Sequence, residues 1–276
     1  MDKQFASSRL RTDKPSADLI RYLLEIEEEI GITDGVLYYD FPFFRDDTDT
    51  LYRSDVVLTS RGHGIVLFQT SGFDNPERDI DEIVELDESL DQLYSLVFSK
   101  LLKSKSLRLT RDKLVIPISS FLFLPDITVH NAIDTKEFSS PVLYTYPSVK
   151  EALVNIQQGR IEEQEWDEMR SVLEGAKGIL RPKPRALRSG KPNGKARLLA
   201  SLEAEVANFD REQRLAAIPI VEGPQRIRGL AGSGKTIVLA MKAAMIHLRS
   251  PDERIVFTFN TKSLYDFIKT LITKFY

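Results

Sequence analysis

An α/β fold in two domains is predicted by three features of the sequence. Apolar residues recur at helical spacing in 16–30, apolar runs alternate with turns in 52–71, and a glycine-rich loop near residue 230 separates a predicted short strand from a long predicted helix. Helical and strand patterns therefore alternate along the chain, which favours a sheet covered by helices. A chain of 276 residues is long enough for two such domains.

The composition excludes several classes of protein. Apolar residues make up 42% of the chain and charged residues 29%, a balance typical of soluble globular proteins. The absence of cysteine excludes a disulfide framework, and three histidines disfavour a zinc centre. The first twenty residues mix both charges without an apolar core, unlike a signal peptide, and no apolar run is long enough to span a membrane. We expect a cytoplasmic protein with no membrane partner.

The first predicted helix covers 16–30. Its apolar face is formed by Leu19, Leu23, Ile26 and Ile30. Ser16 or Asp18 is predicted to cap its start and Gly31 to end it. The segment 38–44 follows as a strand broken by Pro42.

A β-hairpin is predicted next, with strands at 52–58 and 65–71 and a tight turn at 60–64. The order of a helix, Asp55-Val56-Val57, a turn and a buried strand ending in Gln69 and Ser71 resembles the restriction-endonuclease-like core of nuclease-related domains. In that family an Asp on one strand and a Glu-x-Lys on the next bind a divalent metal that activates water. The resemblance assigns Asp55 to the Asp, Gln69 to the Glu position and Ser71 to the Lys position.

These departures predict a degenerate nuclease-like domain over 1–174. An amide at Gln69 removes a negative charge from the metal site, and Ser71 does not supply the positive charge of lysine. Activity would require that Glu25, Glu28 or Asp74 provide the missing carboxylate. A purely structural α/β domain stays an alternative, because a fold does not imply an activity.

The remainder of the front domain alternates helices and strands. The segment 74–91 is strongly acidic and predicts a solvated loop or helix face. Helices are predicted at 90–102, 148–153 and 161–173, the last with Trp166 as a packing residue, and strands at 114–118, 120–124 and 142–146. Residues 175–200 carry eight basic and no acidic side chains with seven Pro or Gly, which predicts a basic linker that either contacts nucleic-acid phosphates or serves as a flexible connector.

The stretch Gly229–Thr236 fits the pattern G-x-x-x-x-G-K-[ST]. Glycines allow positive φ and close approach to phosphate, so that successive N–H groups form an anion nest at a helix N-terminus. Lys235 then reaches the β- and γ-phosphates, and the Thr236 hydroxyl is placed to ligate Mg²⁺. The predicted nucleotide-binding residues are Gln213, Gly229, Ala231, Gly232, Ser233, Gly234, Lys235 and Thr236.

The segments on either side of this loop have the patterns expected around a phosphate-binding loop, a strand before it and a helix after it. A strand is predicted at 225–228 and a buried helix at 237–246, with a second strand at 254–260. A helix over 200–209 would deliver Gln213, which lies 22 positions before Lys235. Its carboxamide offers the donor and acceptor that an adenine edge requires.

Residues 200–276 resemble the superfamily 1 DNA helicases of the UvrD/Rep type. Gln213 matches their Q motif, Gly229–Thr236 their first motif, and the segment 258–264 the part that touches single-stranded DNA. The resemblance implies ATP and Mg²⁺ as cofactors, single-stranded DNA near Thr258 and Asn260, and the start of a P-loop (RecA-like) motor domain over 201–276.

The resemblance also implies residues that we do not find. Phosphoryl transfer ordinarily needs an Asp-Glu pair after a third strand and an arginine finger. We therefore expect the N-terminal portion of an ATP-dependent DNA helicase, acting in DNA repair or in defence against foreign DNA, that by itself binds nucleotide poorly and hydrolyses it negligibly. The alternative is a non-catalytic DNA- or protein-binding module built on a dead nuclease fold. The spacing of Gln213 disfavours a P-loop kinase or GTPase.

Overall fold

The structure, a computed structural model, describes residues 1–45, 48, 50–72, 80–125, 138–157, 159–174, 213, 215–219 and 223–275. The chain divides into two compact units, Met1–Glu174 and Gly175–Tyr276. The first unit is a mixed α/β domain. The predicted linker over 175–200, the predicted helix over 200–209 and Asp74 lie outside the described residues.

The strands of the first unit are β1 (Asp2–Phe5), β2 (Val36–Tyr39), β3 (Phe43–Arg45), β4 (Leu51–Arg53), β5 (Val56–Ser60), β6 (Gly64–Thr70), β7 (Ile118–Phe123) and β8 (Val142–Leu143). Its helices are α1 (Lys14–Glu25), α2 (Ile80–Leu102), α3 (Tyr146–Ile156) and α4 (Glu163–Leu173). Short 3₁₀ turns cover Ser8–Arg11 and Lys105–Leu107.

A six-stranded mixed sheet has the order β1-β2-β5-β6-β7-β8. The pairs β2–β5 and β5–β6 are antiparallel, whereas β1–β2, β6–β7 and β7–β8 are parallel. The central strands β5 and β6 are buried along their whole length, which explains why their sequences are nearly continuous apolar runs. Leu19 and Leu23 of α1 pack on this sheet with Val66 and Phe68 of β6.

The predicted hairpin is confirmed by the β5–β6 pairing, in which Val57 lies opposite Leu67. Its first strand is shorter than predicted, because the chain leaves the ladder at Ser54 and Asp55. The Ser54 hydroxyl is placed to donate to the carbonyl oxygens of Val56 (3.0 Å) and Phe68 (2.8 Å). β4, before this break, pairs with β3 in a separate two-stranded ribbon.

The helix predicted over 16–30 forms as α1, but both predicted boundaries were wrong. Asp13 is the N-cap: its side chain accepts a hydrogen bond from the Ser16 N–H at 3.2 Å. The Ser16 hydroxyl instead bonds to the Thr70 hydroxyl at 2.6 Å. The helix ends at Glu25, although Ile30 beyond it stays in the core, 2% exposed.

In the second half of this unit helices and strands alternate as predicted, but several of them begin or end at other residues than predicted. α2 begins ten residues earlier than predicted, because apolar side chains continue at helical spacing through the acidic segment: Ile83, Leu90, Leu93, Val97 and Leu101 are buried. The predicted strand over 114–118 does not form. Pro117 lacks a backbone N–H for the ladder, and only its carbonyl oxygen is used, by the Ile65 N–H. The strand predicted over 142–146 is reduced to β8 because Thr145 caps α3.

The second unit contains α5 (Lys235–Arg249) and α6 (Tyr265–Phe275), with a 3₁₀ turn at Lys262–Leu264. Ala217, Val238 and Met241 form its buried apolar cluster. None of the helices in the described part of the chain has both the length and the apolar content needed to cross a membrane.

Candidate functional site

The glycine-rich loop leads directly into α5, as predicted. Gly232 and Gly234 have φ values of +78° and +70°, a left-handed conformation that residues with a Cβ rarely adopt. Gly234 is the N-cap residue of α5 and no side chain caps this helix end. The first N–H groups of α5 therefore form the type of site that binds anions.

Lys235 is held over the loop by main-chain oxygens. Its Nζ donates to the carbonyl oxygens of Gly229 (2.9 Å) and Leu230 (2.6 Å) and approaches the Ser233 hydroxyl at 3.4 Å. These contacts place the ammonium group at the mouth of the loop, and Thr236, the next residue, is half-buried at the start of the helix.

Gln213 lies beside this loop. Its side chain is 5% exposed, and a Cβ atom placed on Gly234 would come within 2.3 Å of the Gln213 Nε2 atom. The structure thus brings together Gln213, Gly234 and Lys235, although the first is far from the others in sequence.

The two strands predicted beside the loop are absent. Neither 225–228 nor 254–260 belongs to a hydrogen-bonded ladder in the described part of the second unit, so both predictions were wrong. The physical reason is that a strand exists only with a pairing partner, and these two segments find none among the described residues. Val256 is consequently 82% exposed.

The residues predicted to meet single-stranded DNA lie on this exposed segment. Thr258 and Asn260 are exposed, and the rings of Phe257 and Phe259 lie 6.4 Å apart between their centroids. Backbone phosphates would find hydroxyl and amide donors here, next to aromatic surface.

No protein family, curated protein or solved structure matches this chain.

Asp55, Gln69 and Ser71, the residues assigned by the resemblance to nuclease-related domains, lie where β5 begins and β6 ends. The Asp55 carboxylate accepts the Thr70 N–H at 2.8 Å. Gln69 is 8% exposed, and its Oε1 has no hydrogen-bond partner among the described atoms. The Ser71 N–H donates to the Phe123 carbonyl oxygen at 3.2 Å, which continues the β6–β7 pairing.

The Asp55 carboxyl is not an ordinary surface acid. Burial raises its pKa to about 6; the hydrogen bond from the Thr70 main chain opposes this change, and the neighbouring Asp13 and Asp40 add to it. Arg53 is paired with Asp40 and lowers the Asp55 pKa. Such a carboxyl can exchange a proton near neutral pH, but the proton competes with any metal cation for its oxygens.

Two of the compensating carboxylates considered above, Glu25 and Glu28, do not reach Asp55, and the third, Asp74, lies outside the described residues. Asp13, one of the two acids that interact with Asp55, caps the N-terminus of α1, whereas Glu25 is exposed at the opposite end of this 12-residue helix, about 18 Å away. Glu28 lies further along the chain and is also exposed. The described residues include no cluster of three or more His, Asp or Glu able to hold a metal ion.

Asp13 and Tyr39 are two residues near Asp55 that we did not predict. The Tyr39 hydroxyl donates to Asp13 at 2.9 Å, and burial together with this carboxylate raises the pKa of Tyr39. A signal was present in the sequence, because Asp13 followed by Pro15 and Ser16 is typical of a helix start.

Proposed function

We propose that the second unit binds a nucleoside triphosphate, ATP, through Gly229–Thr236, in the manner of superfamily 1 DNA helicases. The observation that carries the proposal is the loop itself, with two left-handed glycines leading into an uncapped helix and Lys235 folded over the opening. Free space surrounds Gly232, where a Cβ would meet no atom within 4 Å. A phosphate can therefore approach the backbone.

The residues present also fit Mg²⁺ bound through the nucleotide. Thr236 would supply one hydroxyl ligand, and the remaining ligands would come from phosphate oxygens and water, the usual coordination of this cation in nucleotide sites. When bound, Mg²⁺ would neutralise phosphate charge. Lys235 would add a second positive charge on the same phosphates.

For the activity of the protein we propose ATP-dependent movement along DNA, as in a DNA helicase or translocase. Single-stranded DNA would contact Thr258 and Asn260. The exposure of both side chains beside two aromatic rings supports this partner.

For the first unit we propose a restriction-endonuclease-like domain without nuclease activity. The mixed sheet, with Asp55 and Gln69 at neighbouring strand ends, supports the resemblance. The engagement of Asp55 with the Thr70 N–H and the amide at Gln69 support inactivity. A non-catalytic DNA- or protein-binding role is the corresponding alternative for this domain.

Calorimetric titration of the full chain with Mg-ATP tests the central proposal. Lys235→Ala should weaken binding at least about tenfold, because it removes the cation that meets the phosphates. Lys269→Ala, which removes an exposed lysine from α6, is the matched control and should bind like the wild type. Equal affinity of the Lys235→Ala variant and the wild type would falsify the assignment.

A second arm of the same experiment uses a labelled oligothymidylate and fluorescence anisotropy. Asn260→Ala should weaken DNA binding and leave ATP binding unchanged. Lys235→Ala should weaken ATP binding and leave DNA binding unchanged. An Asn260→Ala variant with unchanged DNA affinity argues against DNA at this segment.

A further inference from the structure

Gln213 contacts the phosphate loop itself. Its carboxamide lies against the Cα of Gly234: a Cβ at that position would come 2.3 Å from Nε2 and 2.7 Å from Cδ. Gly234 adopts φ +70° and ψ 16° and directly precedes Lys235. The carboxamide therefore packs on the residue whose conformation decides where α5 begins.

The segment that follows Gln213 is attached along α5. Ala217 is fully buried against Val238, and the Lys242 ammonium donates to the carbonyl oxygen of Pro219. Burial of this ammonium lowers the pKa of Lys242. Two separate contacts thus hold residues 215–219 against the helix and keep the carboxamide at the loop.

We propose that Gln213 is a positioning residue for the phosphate loop, and that it supports binding of the triphosphate chain whatever the base. The inference rests on the proposed nucleotide-binding function. The carboxamide presses on the left-handed Gly234, so that the loop N–H groups stay turned toward the phosphates. The resemblance to helicases, by contrast, implies that Gln213 recognises adenine.

The contact acts through shape. The Gln213 Oε1 atom is buried and has no hydrogen-bond partner among the described residues. A side chain of similar length without an amide should therefore hold Gly234 equally well, whereas a short side chain leaves a gap. Recognition of adenine would instead require the donor and the acceptor of the amide.

Calorimetry on the full chain separates the two roles with three ligands: Mg-ATP, Mg-GTP and inorganic tripolyphosphate with Mg²⁺. Gln213→Ala should weaken all the ligands that the wild type binds by a similar factor, about tenfold. Gln213→Met should bind each of these ligands with an affinity within about twofold of the wild type. Gln225→Ala removes an exposed amide just before the loop and should change nothing.

The inference is overturned if Gln213→Ala weakens only ATP and leaves tripolyphosphate unchanged, because that pattern belongs to recognition of the base. It is also overturned if Gln213→Met loses binding while circular dichroism shows it folded. If Gln213→Ala does not fold, the Met variant decides alone, since wild-type binding of tripolyphosphate and ATP supports positioning. Failure of the proposed function is a different result: Lys235→Ala then binds all three ligands like the wild type.

Discussion

The carboxylate of Asp55 in the first unit accepts the N–H of Thr70, whereas in the second unit α5 begins at a glycine with positive φ and has no capping side chain. In the first unit, the Asp55 carboxylate at the start of β5 is bonded to the end of β6, although the buried Gln69 Oε1 nearby has no partner among the described atoms. In the second unit, the Ser233 N–H and the Lys235 ammonium bond to carbonyl oxygens of the loop, while no side chain caps the start of α5. The start of α5, whose main-chain donors have no side-chain cap, therefore supports a binding site more strongly than the strand end at Asp55, whose carboxylate is already bonded.

The same contrast extends to the apolar residues. The strands β5 and β6 are buried on both faces, while the apolar segment around Val256 in the second unit is exposed. Stability should accordingly depend on buried polar pairs in the first unit, and ligand binding on main-chain geometry in the second.

Three changes test the first half of this comparison. Trp166, the only tryptophan of the chain, is 7% exposed on α4 and reports unfolding of the first unit by fluorescence.

The largest effect is expected for Arg170→Ala. The Arg170 guanidinium donates to Glu174 at 2.9 Å and the Tyr38 hydroxyl donates to the same oxygen at 2.7 Å, all in buried positions. Removing the guanidinium leaves a buried carboxylate without its cation, which should lower the free energy of unfolding by about 3–5 kcal/mol in a urea titration.

Arg21→Ala is the matched control for this change. Arg21 is exposed and pairs with Asp18 on the surface of α1, so its loss should cost less than about 1 kcal/mol. If both variants lose the same small amount, buried polar pairs are not what distinguishes the first unit.

A smaller effect is expected for Asp55→Asn. Burial raises the pKa of Asp55 to about 6 from an ordinary value of 3.8, so between these values the folded state holds a proton that the unfolded state has lost. The stability that this group contributes is present at low pH and is lost as pH rises from about 4 through 6, by roughly 3 kcal/mol at most. Asp55→Asn should remove this dependence, measured as urea midpoints between pH 4 and 7.5.

Asp91→Asn, on the exposed side of α2, serves as the control and should leave the pH dependence unchanged. Nicking of supercoiled plasmid with Mg²⁺ or Mn²⁺ gives an independent result on the same proteins. Cleavage by the wild type that is lost in Asp55→Asn contradicts the proposed inactivity of the first unit.

The smallest effect is expected for His63. Its ring is 1% exposed, Nδ1 lies 2.8 Å from the Ser60 hydroxyl, and Nε2 has no hydrogen-bond partner in the described residues. Burial lowers the pKa of His63 below its ordinary 6.5, so the unfolded chain binds the proton first as pH falls. Stability should therefore decrease below about pH 6.5, by no more than about 1.4 kcal/mol per pH unit.

His63→Gln should abolish this loss on acidification while the opposite contribution of Asp55 remains. The two variants thus change the pH profile of the Trp166 transition in opposite directions. Profiles that move in the same direction contradict the assignment of these two groups.

Much of the first unit was predictable because its patterns are local. The helical spacing of Leu19 and Leu23, and the apolar runs around the turn at 60–64, lead to α1 and to the β5–β6 hairpin. Boundaries were less predictable, since Asp13 rather than Ser16 caps α1 and the ladder breaks at Ser54. These outcomes depend on which hydrogen-bond partner another strand offers, and that is a property of the assembled sheet.

The glycine-rich loop and its helix were likewise encoded locally, because positive φ at Gly232 and Gly234 needs only the absence of a Cβ. The strands expected on either side required partners that no local pattern guarantees, and they did not form. Packing of Gln213 on Gly234 and capture of the Thr70 N–H by Asp55 could not be deduced from spacing. Both join residues distant in the chain, and only the folded backbone decides whether a polar side chain meets another part of the protein or remains free for a ligand.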